Sequence, residues 1–179
     1  MKYLVTGGAG FIGSHLVSFL KKKGEVVILD REYPSFTDIA NCKNNNDILE
    51  ALEGVDCVFH LAAETSVPRS IENPLCYNYN NVDGTVNMLT LSKEAGVRRF
   101  IFSSSASVYG GVDGIPLSER GPVSALSPYG LQKLVGEQYC ELYSKIYDIE
   151  TVSLRYFNVF GEGMPTTGSY CSLIGSFMK

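Results

Sequence analysis

Two side chains four residues apart, Tyr129 and Lys133, form the pair in this sequence best suited to proton transfer. At this spacing both side chains lie on one face of a helix. The ammonium favours the phenolate and so lowers the pKa of the tyrosine. A tyrosine tuned in this way can take or give a proton as a hydride moves. Because Tyr-x-x-x-Lys is common by chance, the motifs around it decide its meaning.

Serines precede this pair at the end of an apolar run. The segment 103–110 reads Ser-Ser-Ser-Ala-Ser-Val-Tyr-Gly and directly follows Phe100-Ile101-Phe102. A serine at such a strand end can hydrogen-bond a reacting oxygen. The order of these motifs favours a redox site.

A glycine-rich turn stands at the start of the sequence. Thr6-Gly7-Gly8-Ala9-Gly10-Phe11-Ile12-Gly13 follows a short apolar run and opens a stretch with helical spacing. Its glycines permit a tight turn, close approach of a pyrophosphate and close packing of the helix on the sheet. The helix N-terminus adds free N–H groups and a partial positive charge. The segment therefore predicts a dinucleotide site; the alternative is a turn with coincidental glycines.

An acidic residue, Asp30, ends the second predicted strand. Its carboxylate can accept hydrogen bonds from both ribose hydroxyls and would repel a 2′-phosphate, which favours NAD over NADP. Arg31 follows directly and weakens this preference slightly, because arginine can pair with a phosphate. A surface aspartate that starts a turn is the alternative interpretation.

Apolar runs and helical stretches alternate along the whole chain, and the strand runs do not alternate internally in polarity. This arrangement is typical of an α/β fold with a doubly wound parallel sheet (Rossmann) whose faces are both covered by helices. Ligands of such sheets bind beyond the carboxyl ends of the strands. We predict strands at 3–5, 25–29, 36–40, 56–61, 99–103 and 150–155, and helices at 11–23, 47–53, 74–95 and 129–147.

Two further strand ends and one helix contribute to the predicted site. Small residues at Asn41-Cys42 and Leu61-Ala62-Ala63 let backbone lie against the cofactor. We expect His60, which precedes its strand end, to be structural rather than a base. Asn81 lies in a predicted helix, where asparagine is a poor former. It could face the cofactor, cap the helix or mark a kink.

Composition narrows the classes of partner. The net charge is −4 and the pI about 5.2, so we expect no nucleic-acid partner. Five cysteines at long spacings favour reduced thiols in a cytoplasmic protein, and two histidines make a metal site improbable. We expect no membrane span, because no apolar run reaches the roughly 18 residues required.

Six ordered motifs resemble the extended short-chain dehydrogenase/reductase family, within it the NAD-dependent nucleotide-sugar epimerases and dehydratases. The resemblance covers essentially the whole chain. It implies that Tyr129 is the acid/base, Lys133 its partner and Ser105 the hydroxyl beside the sugar. The motifs are TGGAGFIG at 6–13, HLAA at 60–63, NVDGT at 81–85, SSSASVYG at 103–110, SPYGLQK at 127–133 and RYFNVFG at 155–161.

The resemblance also assigns two sets of contacts. Cofactor contacts are implied for Gly7, Gly10, Phe11, Ile12, Gly13, Asp30, Asn41, Cys42, Leu61, Ala62, Ala63, Asn81, Ser103, Tyr129, Lys133 and Phe157. Contacts to a nucleotide-sugar substrate are implied for Ser105, Ala106, Ser107, Tyr129 and Asn158. The family usually carries Asp-Ile where this chain has Asn41-Cys42, so the match there is weaker.

Two residues discriminate within the family. Dehydratases carry an Asp-Glu pair, and decarboxylases a glutamate, where this chain has Ala106 and Ser107. A 4-epimerase needs neither acid, because it removes a hydride from C4, lets the 4-keto sugar turn and returns the hydride to the other face. We therefore expect a nucleotide-sugar 4-epimerase acting on UDP-glucose/UDP-galactose or their N-acetyl forms. The alternatives are a nucleotide-sugar dehydratase or reductase, and an NAD-binding module without turnover.

Members of the family are longer than this chain. We expect an NAD-binding domain at 1–165, with 166–179 as the start of a truncated substrate-binding region. Many members pair as homodimers through two long helices, here 74–95 and 129–147. Tyr139, Leu142, Tyr143 and Ile146 could form that surface, or could equally pack on the sheet.

Overall fold

The protein was analysed as a computed structural model, which describes residues 1–32, 38–41, 45–112 and 116–164. Helices and strands alternate, as predicted. The strands are β1 (Lys2–Thr6), β2 (Glu25–Leu29), β3 (Cys57–His60), β4 (Arg99–Ser105) and β5 (Glu150–Tyr156). The helices are α1 (Phe11–Leu20), α2 (Asn46–Leu52), α3 (Val67–Glu72), α4 (Pro74–Asn78), α5 (Gly84–Glu94) and α6 (Pro128–Ile146), with a π-helical turn at Tyr79–Asp83 and a 3₁₀ turn at Ala106–Val108.

The strands form one parallel sheet in the order β2-β1-β3-β4-β5. The chain leaves β1 toward β2 on one side and later returns to β3 on the other, so the order reverses between β1 and β3. This topological switch opens a crevice at the carboxyl ends of the two strands. The prediction of a doubly wound parallel sheet is confirmed, and the switch lies at the glycine-rich turn.

Two apolar clusters cover the two faces of the sheet. One face carries Leu4, Val58 and Phe100, all fully buried under α2, α5 and α6. The opposite face carries Tyr3 and Val5, which pack against α1. Burial of successive strand residues on both faces explains the unbroken apolar runs in the sequence.

The strand predicted at 36–40 is wrong for the three of its residues that the structure describes. Its first two residues lie outside the described residues, and Asp38–Ala40 form a turn instead. The Asp38 carboxylate accepts the Ala40 N–H (3.1 Å), and its carbonyl accepts the Asn41 N–H (3.0 Å). The short acidic side chain accepts a backbone N–H within the turn, so that N–H does not need a hydrogen-bond partner from a neighbouring strand.

The predicted helix over 74–95 is also interrupted. It begins at Pro74 as expected, with Asn73 accepting the Cys76 N–H as its cap. The π-helical turn then inserts one extra residue and turns Asn81 inward, where it is buried. Such π-bulges are frequent at functional sites. Of the alternatives for Asn81, the kink is observed.

The four residues of α6 predicted for a dimer surface fall into one pair that packs inward and one pair that is exposed. Tyr139 and Tyr143 pack against the core, and the Tyr143 hydroxyl bonds Thr90 Oγ1 at 2.8 Å. Leu142 and Ile146 are about half exposed. Pairing of two copies through this helix stays a prediction, and only the second pair faces outward to serve it.

The described parts of the chain hold neither a membrane-spanning helix nor a metal-binding cluster. None of the helices there combines the length and apolar character needed to cross a membrane. Those residues also contain no group of three or more His, Cys, Asp or Glu placed to hold a metal ion. The predicted domain boundary after 165 falls outside the described residues.

We predict that Gly136→Ala destabilises the fold by about 1–3 kcal/mol, as overpacking does in a dense core. A Cβ at this position in α6 would lie 2.4 Å from the tip of the Phe102 ring in β4. Phe102→Leu alone should also destabilise, because it leaves a cavity. The double variant should lose less than the sum of the two, by about 0.5–3 kcal/mol. Urea unfolding measures all three, and strict additivity would contradict the contact.

Candidate functional site

A cleft of about 1160 Å³ opens at the carboxyl ends of the strands, over the switch between β1 and β3. Most residues predicted for the site line it. These are Gly7, Gly10, Phe11, Ile12, Gly13, Asp30, Leu61, Ala62, Ala63, Ser103, Ser105, Ser107, Tyr129, Lys133, Phe157 and Asn158. Asn41, Asn81 and Ala106 are described but do not line the cleft, and Cys42 lies outside the described residues.

The glycine-rich turn forms the floor of the cleft. Gly7 has φ +69°, a conformation that L side chains rarely adopt, and a Cβ there would lie 2.8 Å from the Ala62 amide nitrogen. A Cβ on Gly13 would lie 2.1 Å from the Gly7 carbonyl oxygen. A side chain at Gly7 would therefore clash with the backbone that follows β3, and one at Gly13 would push α1 away from the glycine turn. Helix α1 begins at Phe11, with its N-terminus in the cleft.

Asp30 lies at the rim, at the end of β2. Its carboxylate accepts the Ala9 N–H (2.9 Å) and the Glu32 N–H (3.0 Å), which fixes its orientation beside the glycine turn. The neighbouring Arg31 reaches across to Glu64 on the opposite wall, at 2.9 Å. The arginine charge is thereby engaged by a carboxylate rather than left facing the ribose position.

Lys133 is the buried cation of the site, only 3 % exposed. Its Nζ donates to the Ser103 carbonyl oxygen (2.8 Å) and lies 5.9 Å from the centroid of the Tyr129 ring. A second ring, Phe102, lies 5.0 Å away. Burial lowers the pKa of Lys133 to about 8. The side chain is therefore still charged at neutral pH, but at a cost in desolvation.

Tyr129 enters the cleft from the first turn of α6. Ser127 caps this helix by accepting the Gly130 N–H (3.1 Å), and Pro128 occupies the first turn. The Tyr129 N–H donates to Ser70 Oγ at 3.2 Å. Capping of α6 and its tie to α3 thus set the position of the phenol, which is 5 % exposed.

Ser105, at the end of β4, and Ser107, in the turn that follows, line the same cleft as Tyr129. Ser105 Oγ accepts the Ser107 N–H and donates to Ser107 Oγ, both at 3.1 Å. The 3₁₀ turn at Ala106–Val108 produces this pairing. The two hydroxyls form a fixed polar edge, and the Ala106 side chain between them adds no ionisable group.

Asn81 and His60 act behind the cleft wall. Asn81 Oδ1 accepts the Glu64 N–H (2.8 Å), while its Nδ2 donates to the Glu64 carbonyl and to Gln132 Oε1 (both 3.0 Å). His60 is 1 % exposed and lies between Thr6 and Thr85. The interpretation of His60 as structural agrees with these contacts. The predicted contact of Asn81 with a cofactor stays a prediction.

Part of the cleft was not predicted. The additions are the wall residues Glu64 and Thr65, Val67 and Pro68 of α3, Tyr156 at the end of β5, and Val159 and Met164 after it. A signal existed for Glu64 and Thr65, since they directly follow a predicted strand end. The apolar additions carry no chemical signature in the sequence. The segment after β5 is held by His15, whose Nε2 lies 2.7 Å from the Glu162 carbonyl oxygen.

The fold and the site together define a class. The chain has a doubly wound parallel sheet with a glycine-rich first turn, and a buried Tyr-x-x-x-Lys pair beside strand-end serines. These features are typical of dinucleotide-binding proteins of the short-chain dehydrogenase/reductase type. More specifically, the model of the NAD dependent epimerase/dehydratase family matches residues 3–179, and the chain belongs to this family.

Named relatives agree with this assignment. A putative UDP-glucose 4-epimerase from Methanocaldococcus jannaschii is 40% identical over 177 residues, which cover 92% of this chain and 58% of the relative. A UDP-glucose 4-epimerase from Lactobacillus helveticus is 38% identical, with 90% and 52% covered. The chain thus spans about half the length of the curated relatives it matches.

Solved structures are similar over nearly the whole chain. A UDP-N-acetylglucosamine 4-epimerase from Methanobrevibacter ruminantium M1, in complex with UDP-N-acetylmuramic acid, gives a TM-score of 0.90 at 36% identity. It covers 99% of this chain and 61% of that structure. A UDP-glucose 4-epimerase from Thermotoga maritima with UDP-glucose gives 0.91 at 33% identity, with 99% and 62% covered.

We predict that Lys133→Met raises the free energy of unfolding at pH 7 by up to about 3 kcal/mol. The pKa falls from 10.5 to about 8 on folding, and each unit corresponds to about 1.4 kcal/mol. Folding therefore disfavours the charged form, and this penalty is present below about pH 8. It disappears as the pH rises toward 10.5, because the unfolded chain then also loses the proton.

Urea unfolding of both proteins at pH 7 and at pH 10 measures this effect. The gap between variant and wild type should be largest at pH 7 and should narrow between pH 8 and 10.5. A wild type more stable than the variant at pH 7 would show that the cation is not destabilising in the fold.

Proposed function

We propose that this protein is an NAD-dependent nucleotide-sugar 4-epimerase acting on UDP-hexoses, UDP-glucose/UDP-galactose or their N-acetyl forms. The observation that carries the proposal is the cluster of Ser105, Tyr129 and Lys133 at the cleft, with Ala106 and Ser107 in place of further acids. The assignment to the NAD dependent epimerase/dehydratase family supports it.

The cleft fits NAD by three features of its shape and charge. Gly7 and Gly13 hold the glycine turn close to its protein neighbours, while a Cβ on Gly10, which lines the cleft, would meet only the Gly7 carbonyl oxygen, at 3.3 Å, so backbone there admits a close neighbour such as a pyrophosphate. The N-terminus of α1 favours negative charge. Asp30 stands at the rim, within reach of ribose hydroxyls and hostile to a 2′-phosphate.

The chain's own residues hold the proton chemistry. When bound, NAD⁺ would accept a hydride from the sugar carbon and return it. The Tyr129 oxygen takes the hydroxyl proton of the substrate and gives it back, because the Lys133 ammonium stabilises the phenolate. Lys133 keeps its place through the Ser103 carbonyl. Ser105 orients the reacting oxygen through its hydroxyl, which the Ser107 N–H already fixes.

A dehydratase and a reductase are the competing functions. Elimination of water from a sugar needs an additional acid and base beside the phenol. The positions that supply them in dehydratases are Ala106 and Ser107 here, which favours epimerisation. A reductase consumes NADH, whereas an epimerase regenerates its cofactor in each cycle. Net change in NADH absorbance therefore separates the two.

We predict that Tyr129→Phe lowers kcat by about 10²–10⁴, the range for loss of a general acid/base. The full-length gene product would be assayed for conversion of UDP-galactose to UDP-glucose and of the N-acetyl pair. KM should change little, since the ring remains. Tyr147→Phe, at the far end of α6, is the matched control and should retain turnover. Unchanged kcat in Tyr129→Phe would rule out the mechanism.

We predict that Asp30→Asn lowers the preference for NAD over NADP by at least about tenfold, equivalent to about 1.4 kcal/mol. The amide can still accept hydrogen bonds from the ribose but no longer repels a 2′-phosphate. Calorimetric titration with both cofactors measures the ratio. Asp148→Asn, an exposed acid before β5, is the control. An unaltered ratio in Asp30→Asn would place the ribose elsewhere.

A further inference from the structure

His60 lies at the centre of a buried row across three strands. Thr6 pairs with His60, and His60 with Phe102, in the register of β1, β3 and β4. His60 Nδ1 lies 2.8 Å from Thr6 Oγ1, and Nε2 lies 3.1 Å from Thr85 Oγ1. This row of Thr6, His60 and Phe102 lies directly behind the cleft, and its first member, Thr6, immediately precedes Gly7. No role in proton transfer is open to a ring enclosed in this way.

The hydroxyls of Thr6 and Thr85, on either side of the imidazole, fix the direction of each hydrogen bond that His60 makes. Thr85 donates its only hydroxyl proton to the Asn81 carbonyl (2.7 Å), so it must accept from His60 Nε2–H. Thr6 Oγ1 accepts the Ala62 N–H (3.1 Å) and can then donate its own proton to His60 Nδ1. A single directed chain results, from the Ala62 amide through Thr6, His60 and Thr85 to Asn81.

One end of this chain, Ala62, lies on the cleft wall, and the other, Asn81, is hydrogen-bonded to that wall from behind. Ala62 is the residue whose backbone would meet a Cβ on Gly7 at 2.8 Å. Asn81 holds both backbone groups of Glu64 with its side chain. The segment 61–64 is therefore attached to the row at its start through Thr6 and at its end through Asn81.

The charge around His60 excludes the imidazolium form. Burial and the nearby Lys133 ammonium lower the pKa of His60 to about 3. The Phe102 ring lies against both groups, stacked on the imidazole with centroids 6.1 Å apart and 5.0 Å from Nζ. A neutral imidazole is the only form that accepts from Thr6 while it donates to Thr85.

We propose that His60 is a positioning residue, held as the neutral Nε2–H tautomer, whose hydrogen-bond chain fixes segment 61–64 against the glycine turn for cofactor binding. The proposal rests on the proposed function because that wall is the one assigned to NAD. Its chemistry is local: no proton is transferred, and the imidazole serves only as an acceptor at one end and a donor at the other.

Nitrogen NMR of ¹⁵N-labelled protein tests the tautomer without any ligand. The sequence has two histidines, so His15→Gln assigns the remaining signals to His60. We expect a protonated Nε2 and an unprotonated Nδ1, unchanged between pH 6 and pH 8. A protonated Nδ1, in either the neutral or the cationic ring, would overturn the proposal.

Thr6→Val tests the positioning role, because it removes the hydroxyl between Ala62 and His60 and nearly preserves shape. Its affinity for NAD should fall about tenfold, and Thr6→Ser should recover most of the loss. Exchange of the Ala62 amide proton should accelerate in Thr6→Val alone. Leu52→Ala, a core variant of α2, shows how far lower stability alone changes NAD affinity.

The outcomes separate this proposal from the proposed function. Wild-type protein that fails to bind NAD would refute the proposed function, while the tautomer and the Ala62 exchange rate would still decide the hydrogen-bond chain. If Thr6→Val binds NAD as tightly as wild type, or no more weakly than Leu52→Ala, His60 does not position the wall.

Discussion

The close approach between the glycine turn and the end of β3 is the constraint on which the cleft depends. Gly7 and Ala62 meet so tightly that a single Cβ would bring atoms within 2.8 Å, and Gly13 allows α1 to come equally near to Gly7. These contacts bring a helix N-terminus and a strand-end loop to one crevice. Because β1 and β3 are neighbours in the sheet, the crevice forms where the strand order reverses.

The chemistry is then placed by a second set of elements. Helix α6 is capped by Ser127 and packs on β4, so Tyr129 and Lys133 project toward the serines at the end of that strand. The tyrosine-lysine pair and the glycine turn share no element. They meet because both lie at the edge of the sheet where the carboxyl ends of its parallel strands come together.

The residues that sequence reasoning could predict were those with a conformational or chemical requirement. The glycine turn, Asp30 and the Tyr129–Lys133 pair each follow an apolar run or a helical pattern, and the alternation of such runs and patterns predicted the parallel, doubly wound sheet. The strand at 36–40 was wrong at Asp38–Ala40 because the short side chain of Asp38 satisfies the turn, which apolar patterning does not register. Asn81 marked the helix interruption by its poor helix propensity. Its hydrogen bonds to Glu64 and Gln132 join residues that are distant in sequence, so no local pattern indicated these pairings.

Among the described residues that line the cleft, Lys133 is the one buried cation. Arg155 is paired in bidentate fashion with Glu137, at 2.9 and 2.7 Å, so its charge is compensated behind β4. Arg31 is paired with Glu64 at the rim. His60, the other buried base, is neutral and donates outward to Thr85. A charged His60 would repel Lys133 across Phe102 and lower the lysine pKa further below its value of about 8. In the proposed proton transfer the Lys133 ammonium would stabilise the charged form of the substrate's proton acceptor, so the neutrality of His60 preserves the charge that this step would use.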